Sequence, residues 1–403
     1  MTTIDIHTET AVTADGRTLP LKELSVVLDE SWSPYVQGTI VAPLPDDLDD
    51  LTAVDPRTAA RFLLTIRRDF GDAWSNADFT ARHGAVSNAA LTAFYGPVTN
   101  GAITAQFFKP YNSFGVRATD QREMNLHVRS RVIDHVAKEV RIRLASDEAL
   151  LQDYKLIATV RYTNTATTLR GLVGYVIGLI GGTLAAGTDD APITAGASEW
   201  LPGVSAWDYL APLIEKADLR LWCDEKRVWH LTQRAPLAPG HLSLTTGATG
   251  TLTEAVDTID RDGDYYDAVV ITYRWTDSAG AQQYAWDVAG TGGLVLSETR
   301  DQLYPGPGAA AALLARARGR GRVLDLRAVS DYTATPGQAF SAFLPDTTAQ
   351  TGVVSAVAWS LPDAEMSVRT RGLIDTPTTA WAFDPPGVSW NDIPVGIDWT
   401  EDL

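Results

Sequence analysis

Alternation of hydrophobic and polar positions predicts β-strands through the first third of the chain. Residues 23–28 and 36–41 are two such runs, and Pro34 between them is unsuited to a central strand position. Runs of the same character follow at residues 62–68, 102–108, 125–135 and 138–144. We therefore expect residues 1–145 to form a small antiparallel β-barrel domain.

Helical spacing of the hydrophobic positions begins after residue 146. The elements predicted here are helices at residues 167–180 and 206–217 and strands at residues 218–223 and 227–231. Ser205 is placed to cap the second helix with Asp208 close behind it, whereas Pro212 predicts a kink or a later start. Together these elements predict an α/β insert domain over residues 146–235.

Strand character resumes after the insert. The predicted elements are strands at residues 242–252, 266–275, 281–289, 322–330 and 340–345, a helix at 309–318, and a hairpin at 352–361 and 365–372. Pro336 and Gly337 supply a turn between two of the strands. The fold class is therefore mainly β with an α/β insert, and residues 236–375 are expected to form a second antiparallel β-barrel domain.

A short segment rich in Trp and Pro follows at residues 376–403. It has too few contiguous apolar residues for a core, so we expect a docking extension that packs on its own subunit or on a neighbour. Exposed aromatic residues on turns and tails are typical interface anchors. The four candidates of this kind are Trp32, Tyr35, Trp390 and Trp399.

The order of these elements resembles that of one family. Residues 28–38 resemble the opening hairpin of hub proteins from tailed phages of actinobacteria, and residues 309–372 resemble the last barrel domain of a phage tail hub. A third stretch of likeness covers residues 140–151. The chain is thus similar to the tailed-phage (siphophage) baseplate hub or minor tail proteins, the tail-associated hub family. Element order carries the resemblance, which spans most of residues 20–375.

The resemblance implies a structural protein of the virion. A homotrimer with two related barrels in each subunit would match the sixfold tail tube above it and hold a threefold tip or fibre below it. The ring would line or close the DNA channel at the tail tip, after assembly in the cytoplasm of the bacterial host. Many relatives continue into a lysin domain whereas this chain stops at Leu403, so we expect cell-wall cleavage to belong to another polypeptide.

Charge and cysteine content agree with that expectation. A formal net charge of −17 argues against a nucleic-acid binder, because Lys and Arg supply most affinity for phosphate. We expect DNA to pass without specific binding and the arginines between residues 316 and 327 to face carboxylates or interfaces. Cys223 cannot form an internal disulfide and is expected to be a buried thiol.

The hydropathy of two segments bears on export and on membrane insertion. Residues 1–10 lack a basic and an apolar region, so no export signal is expected. Residues 169–187 are the most apolar stretch, but glycines interrupt them at positions 171, 174, 178, 181 and 182. We expect a buried helix there and no stable membrane insertion.

Motifs for catalysis are missing from the sequence. Six histidines are scattered without metal-ligand spacing, and neither a Gly-x-Ser-x-Gly elbow nor a phosphate-binding loop is present. Asp260, Asp262 and Asp264 resemble the start of a calcium loop, but Tyr265 and Ile271 stand where glycine and glutamate are required. This makes the three carboxylates a weak metal candidate, and a solvated turn is favoured. We expect no enzyme and no cofactor.

Two alternatives stay open at this point. A receptor-binding or carbohydrate-binding tail protein would use exposed aromatic residues, and one group of tryptophans lies close together in sequence. Its members are Trp200, Trp207, Trp222 and Trp229, for which core packing is favoured over a sugar platform. A cell-wall glycoside hydrolase is less favoured, since its carboxylate pair is defined only by separation in space.

Overall fold

The computed structural model describes residues 2–46, 48–58, 60–73, 118–193, 198–233, 238–246, 251–260, 265–277, 280–318, 321–345 and 347–376. The expected strand at residues 102–108 lies outside this set, as does the docking extension from residue 377 onward. Within the described residues the protein is mainly β, as the sequence predicts. No helix among them is both long and apolar enough to span a bilayer.

The region before the insert contributes antiparallel strands. They are β1 (Thr2–Thr13), β2 (Thr18–Leu19), β3 (Glu23–Asp29), β4 (Val36–Pro43), β5 (Arg61–Ala73), β6 (Ala118–Asp134) and β7 (Glu139–Ala145), with 3-10 helices at Leu48–Val54 and Pro56–Thr58. They lie side by side in the order β3-β4-β7-β6-β5-β1-β2. In β3 the buried side chains of Leu24, Val26 and Leu28 alternate with more exposed ones. The period-two pattern therefore gives this half of the sheet one core face.

The insert contains the two helices and two strands expected of it, together with a further short helix and two further short strands. They are α1 (Glu148–Asp153), β8 (Tyr162–Thr163), α2 (Leu169–Gly178), β9 (Glu199–Trp200), α3 (Ala206–Lys216), β10 (Leu219–Cys223) and β11 (Trp229–Gln233). Helix α3 begins at Ala206 and contains Pro212, so the later start considered above is wrong. The Ser205 hydroxyl accepts the backbone N–H of Asp208 at 3.0 Å, which confirms the expected cap.

The last region differs from the sequence prediction in its grouping. Its elements are β12 (His241–Thr245), β13 (Leu252–Ile259), β14 (Ala268–Thr276), β15 (Gln282–Gly290), β16 (Val295–Arg300), α4 (Ala309–Arg318), β17 (Arg322–Val329), β18 (Ala339–Phe343), β19 (Ala349–Leu361) and β20 (Glu365–Thr376). The single strand expected at residues 242–252 is two separate elements, β12 and β13. Strands β14, β15 and β16 form a three-stranded sheet of their own, which we call the small sheet.

One pairing joins the two β regions. Strand β3 pairs antiparallel with β19, with Val26 opposite Trp359 and Leu28 opposite Val357. The result is a 13-stranded sheet with the path β13-β17-β20-β19-β3-β4-β7-β6-β5-β1-β2 and with β18 and β12 attached at β19. Its buried residues form one hydrophobic cluster drawn from both regions. This path is open at both ends among the described residues, so the two closed barrels are not confirmed there. The predicted domain boundaries stay predictions.

Two smaller cores flank the large sheet. The core of the insert is formed by α2, α3, β10 and β11 around Trp200 and Trp229. The small sheet packs Val269, Ile271 and Tyr273 of β14 against the first turns of α4. Asp287 of β15 fixes that helix, because its Oδ2 atom accepts the backbone N–H groups of Gly308 and Ala310, each at 3.0 Å.

Candidate functional site

The turn between β3 and β4 carries Trp32 at the junction of the large sheet, the insert and the small sheet. The Oδ1 atom of Asp29 accepts the backbone N–H of Ser31 at 2.7 Å and its hydroxyl at 2.6 Å. The backbone N–H of Trp32 donates to the Asp29 carbonyl at 3.2 Å. From the insert, Gln152 donates its Nε2–H to the Ser33 carbonyl at 2.9 Å. The tip of the turn is therefore held rigidly from two sides.

Trp32 remains 47% exposed on this rigid turn. It lines a groove of about 460 Å³ over β4 and β7 together with Arg143. It also lines a groove of about 580 Å³ against α3 with Trp207. A third groove, of about 450 Å³, runs toward β13 and includes Arg327. A half-exposed aromatic side chain where three grooves meet has the character of an interface anchor, and this role for Trp32 stays a prediction.

Tyr35 differs from Trp32, the other interface candidate that the structure describes. Its side chain is 2% exposed, so the exposure expected for it is wrong. The ring meets Trp222 of β10 edge to face, with 4.9 Å between ring centroids. The Arg220 guanidinium lies 5.0 Å above the Tyr35 ring and 5.2 Å above the Trp222 ring. Burial raises the pKa of Tyr35 and lowers that of Arg220. Tyr35 thus fastens the turn to the insert.

Glu148 lies beneath the same turn, at the start of α1. Its Oε1 atom accepts the backbone N–H of Tyr35 at 3.1 Å and that of Cys223 at 3.0 Å. Its Oε2 atom accepts the hydroxyl of Ser146. Burial raises the pKa of Glu148, although these hydrogen bonds oppose the rise. Cys223 is fully buried as expected, and burial is the main cause of a strong rise in its pKa.

Asp147 forms a second buried carboxylate beside Glu148. It lies 3.0 Å from His127 Nε2, 3.0 Å from Arg227 Nε and 3.7 Å from Arg61 Nη1. Burial acts to raise its pKa, but contact with His127 and the charges of the two arginines outweigh burial and lower it. Strand β6, strand β5 and the β10–β11 turn therefore meet at one charged centre. These charged contacts of Asp147 hold the insert against the large sheet.

Arg122 of β6 ties three parts of the chain together. It forms an ion pair with Glu225 in the β10–β11 turn. Its Nη1–H donates to the carbonyls of Tyr332 at 3.2 Å and Ala334 at 2.6 Å. The guanidinium also lies 5.1 Å above the ring of Trp359. One half-buried cation thus joins the first β region, the insert and the last β region.

Three of the arginines between residues 316 and 327 contact carboxylates, as expected. Arg316 Nη2 lies 3.0 Å from Glu215 Oε1. The other two described pairs of this kind are Arg322 with Asp257 and Asp375, and Arg327 with Glu254 and Glu365. Contact with carboxylates is therefore confirmed for these three side chains, and their position relative to a DNA channel stays a prediction.

The remaining candidates separate into two groups. Asp260 directly follows β13, whereas Asp262, Asp264, Trp390 and Trp399 lie outside the described residues. No cluster of three or more potential metal ligands occurs in the part of the chain that the structure describes. Trp200 and Trp229 are fully buried in the core of the insert, which confirms core packing for these two. Trp207 and Trp222 are half-buried.

Sequence reasoning missed one exposed surface. Tyr284, Trp286 and Val288 project from the same face of β15, and each side chain is more than half exposed. The alternation at residues 281–289 predicts the strand correctly. It does not show which of its faces is covered, because hydrophobic residues occur on both.

Comparison with known proteins shows similarity in structure alone. No protein-family model and no curated protein sequence matches the chain. The tail protein from Neisseria meningitidis MC58 superposes with a TM-score of 0.54 and 11% identity, covering 91% of this chain and 96% of that one. The 43 kDa tail protein of prophage MuSo2 from Shewanella oneidensis gives a TM-score of 0.49 and 12% identity, covering 90% and 97%.

A further similar structure is the prophage tail protein gp18 from Listeria monocytogenes EGD-e. It gives a TM-score of 0.39 and 9% identity, covering 86% of this chain and 94% of that one. At such low identities a likeness shows fold and nothing more, and only the Neisseria protein exceeds a TM-score of 0.5 among these three. The resemblance to phage tail proteins drawn from the order of elements is confirmed at the level of the fold.

Proposed function

We propose that the chain is a structural baseplate hub, or minor tail protein, of a phage tail. The observation that carries this proposal is the likeness to the Neisseria tail protein over 91% of this chain and 96% of that one. Because the likeness spans nearly the whole of both chains, the proposal concerns this chain as a whole rather than one module of it. Its role is geometric and not catalytic.

The proposed assembly is a closed homotrimer with a cyclic axis. Strand β13 supports it, because β13 pairs only with β17 among the described residues and its side chains from Thr253 onward are exposed. Ile259 at its end is 77% exposed. At the other end of the sheet path, the outer edge of β1 is paired only at Ala11 and Val12 in the described structure. Unlike edges at opposite ends of one sheet favour head-to-tail contacts that close into a ring.

Each subunit would present two related units to the tail tube. The first is the half of the large sheet formed by β1 to β7, and the second is the half formed by β12, β13 and β17 to β20. Three subunits would then give six such units facing the tube and three facing a tip or fibre. The partners would be tube proteins above the ring and tip proteins below it, at the tip of a siphophage tail.

The ring would enclose the path of DNA at genome ejection. An acidic or neutral lining is proposed, because a basic lining would hold DNA through release of its counterions. The net charge of −17 per subunit supports this, as do the ion pairs of Arg316, Arg322 and Arg327. Burial of Trp200 and Trp229 removes half of the aromatic group that would favour a carbohydrate-binding protein.

Mass photometry of the recombinant full chain, followed by electron microscopy of the assembled tail, tests the proposal. We expect a species of three times the 43.5 kDa subunit mass and a ring with an open or plugged axis at the tail tip. A monomer in solution together with a tail tip that lacks such a ring would contradict it. A continuous row of unpaired arginines along the bore would contradict passive passage of DNA.

A further inference from the structure

Arg220 of β10 is a half-buried cation that lacks a counter-ion among the described residues. Its guanidinium stacks on the rings of Tyr35 and Trp222, and its Nη2 atom is buried without a hydrogen-bond partner. Removing a charged donor from water without an acceptor is costly, so native proteins seldom leave one in this state. Arg220 therefore lacks an anion that the described part of its own chain does not supply.

The carboxyl groups whose charges act on Arg220 have other partners. Glu30 forms an ion pair with Arg371. Asp29 accepts two hydrogen bonds within the β3–β4 turn, and Glu148 accepts backbone N–H groups of that turn and of the insert. Burial lowers the pKa of Arg220 in spite of these charges. The three carboxyl groups therefore do not neutralise it.

Arg220 lines the groove of about 580 Å³ between the β3–β4 turn and helix α3. Two other arginines line the same groove, and both are paired there. These pairs are Arg300 with Glu215 and Glu298, and Arg316 with Glu215. Of the three arginines at this groove, Arg220 is the one without a carboxylate partner in the described structure.

The remaining side chains of the groove restrict what can bind beside Arg220. The carboxylates that line it are Glu30, Asp208, Glu215, Glu298 and Asp301. They would repel a ligand that carries several negative charges. The rings of Trp32 and Trp207, which also line the groove, offer apolar contact. The groove is therefore suited to a single carboxylate carried on an apolar segment.

Trp32 connects this groove to the sheet edge that is proposed to meet the neighbouring subunit. It also lines the groove that runs toward β13, together with Glu254 and Val256 of that strand. A neighbour that pairs at β13 and covers Trp32 would therefore reach the groove of Arg220. Acidic residues outnumber basic ones by 50 to 33 in the chain, so a second copy has carboxylates to offer an unpaired arginine.

We propose that Arg220 binds a carboxylate of the neighbouring subunit, on a segment whose apolar side chains pack against Trp32 and Trp207. This inference rests on the proposed trimer and assigns the chemistry of one contact within it. Assembly would give the guanidinium its counter-ion, and a half-buried ion pair of this kind fixes the register in which two subunits meet.

Zero-length cross-linking of the full chain tests the contact. Arg220→Lys keeps the charge and supplies an amine, which a carbodiimide joins only to a carboxylate in direct contact. In a trimer mixed from isotope-labelled and unlabelled chains, mass spectrometry should find position 220 linked to Asp or Glu of the other isotope. The matched control Arg161→Lys should link within one chain, because Glu199 lies 2.8 Å from Arg161. A link from position 220 to its own chain, or no link in an assembled trimer, would overturn the proposal.

Arg220→Met gives a second measurement, in which assembly and folding should respond differently. Mass photometry over a dilution series should show the dissociation constant of the trimer raised at least about tenfold. The urea midpoint of the dissociated subunit should not fall, because an apolar side chain replaces an unpaired, half-buried charge. A lower midpoint would reduce Arg220 to a structural support of Tyr35 and overturn the proposal. Arg161→Met, at an exposed pair, is the control and should leave the trimer unchanged.

The same dilution series separates this inference from the trimer on which it rests. A stable wild-type trimer that is indifferent to Arg220→Met would contradict the inference alone and leave the groove to another protein. A wild-type chain that stays monomeric, at the tail tip as well as in solution, would contradict the trimer and the inference together.

Discussion

The Oε1 atom of Glu148 accepts the backbone N–H of Cys223 at 3.0 Å, which links the start of α1 to the end of β10. The same atom accepts the N–H of Tyr35. One buried carboxyl group therefore holds the β3–β4 turn, the first helix of the insert and a strand of the insert in fixed positions. The rigidity of the Trp32 turn depends on this centre.

Glu148→Gln should change how stability depends on pH. The pKa of Glu148 is raised by burial, so the folded chain keeps this proton at pH values where the unfolded chain, titrating near 4.5, has lost it. The stability contributed by this group is complete below pH 4.5 and falls as pH rises through the raised pKa. Glutamine keeps an acceptor oxygen but cannot ionise.

Urea denaturation between pH 5 and pH 9 measures this effect. The variant should gain on the wild type by up to about 1 kcal/mol for each pH unit until the raised pKa is passed. Glu139→Gln, at the surface beside Lys22, controls for a general loss of negative charge. A constant difference between wild type and Glu148→Gln across the range would contradict the buried, protonated carboxyl.

Asp147→Asn should destabilise the folded chain by about 2–4 kcal/mol, because Arg227, Arg61 and His127 lose their shared counter-charge. The pKa of Asp147 is lowered below 3.8, so the contribution is present above pH 3.8 and disappears as pH falls below it. Asp153→Asn, which breaks a surface pair with Arg129, should cost no more than about 0.5 kcal/mol. Similar costs for the two variants would exclude a special role for the buried centre.

Arg122→Ala should loosen the joint between the insert and the two β regions. The substitution leaves the Glu225 carboxylate without its partner and the carbonyls of Tyr332 and Ala334 without a donor. We expect a loss of about 3 kcal/mol in unfolding free energy. Hydrogen exchange should accelerate at residues 224–228 and leave β1 unchanged. Arg161→Ala, which breaks an exposed pair with Glu199, is the control.

Local signals in the sequence predict much of the secondary structure. The helix at residues 309–318 and the Ser205 cap are confirmed because each depends on neighbours within a few residues. The hairpin of β19 and β20 is confirmed for the same reason, although both strands are longer than predicted.

Relationships between distant segments could not be predicted in this way. The pairing of β3 with β19 joins positions more than 300 residues apart and turns two expected barrels into one continuous sheet. Tyr35 lies in a polar turn, which suggests exposure, yet Trp222 and Arg220 of the insert cover it. Glu148 and Asp147 are unremarkable acidic residues in sequence, and only the packing of the insert on the sheet buries them.

Trp32→Ala should weaken assembly without weakening the fold. The side chain is 47% exposed at the meeting point of three grooves, while the turn that carries it is held by Asp29 and Gln152. If Trp32 anchors a neighbouring subunit, its removal should raise the dissociation constant of the trimer about 30-fold, equivalent to about 2 kcal/mol. Mass photometry over a dilution series measures this, and urea denaturation should show unchanged unfolding of the subunit.

Trp359→Ala is the matched control, because its fully buried ring should cost about 3–5 kcal/mol in folding. A Trp32→Ala trimer as stable as the wild type would remove Trp32 from the subunit interface.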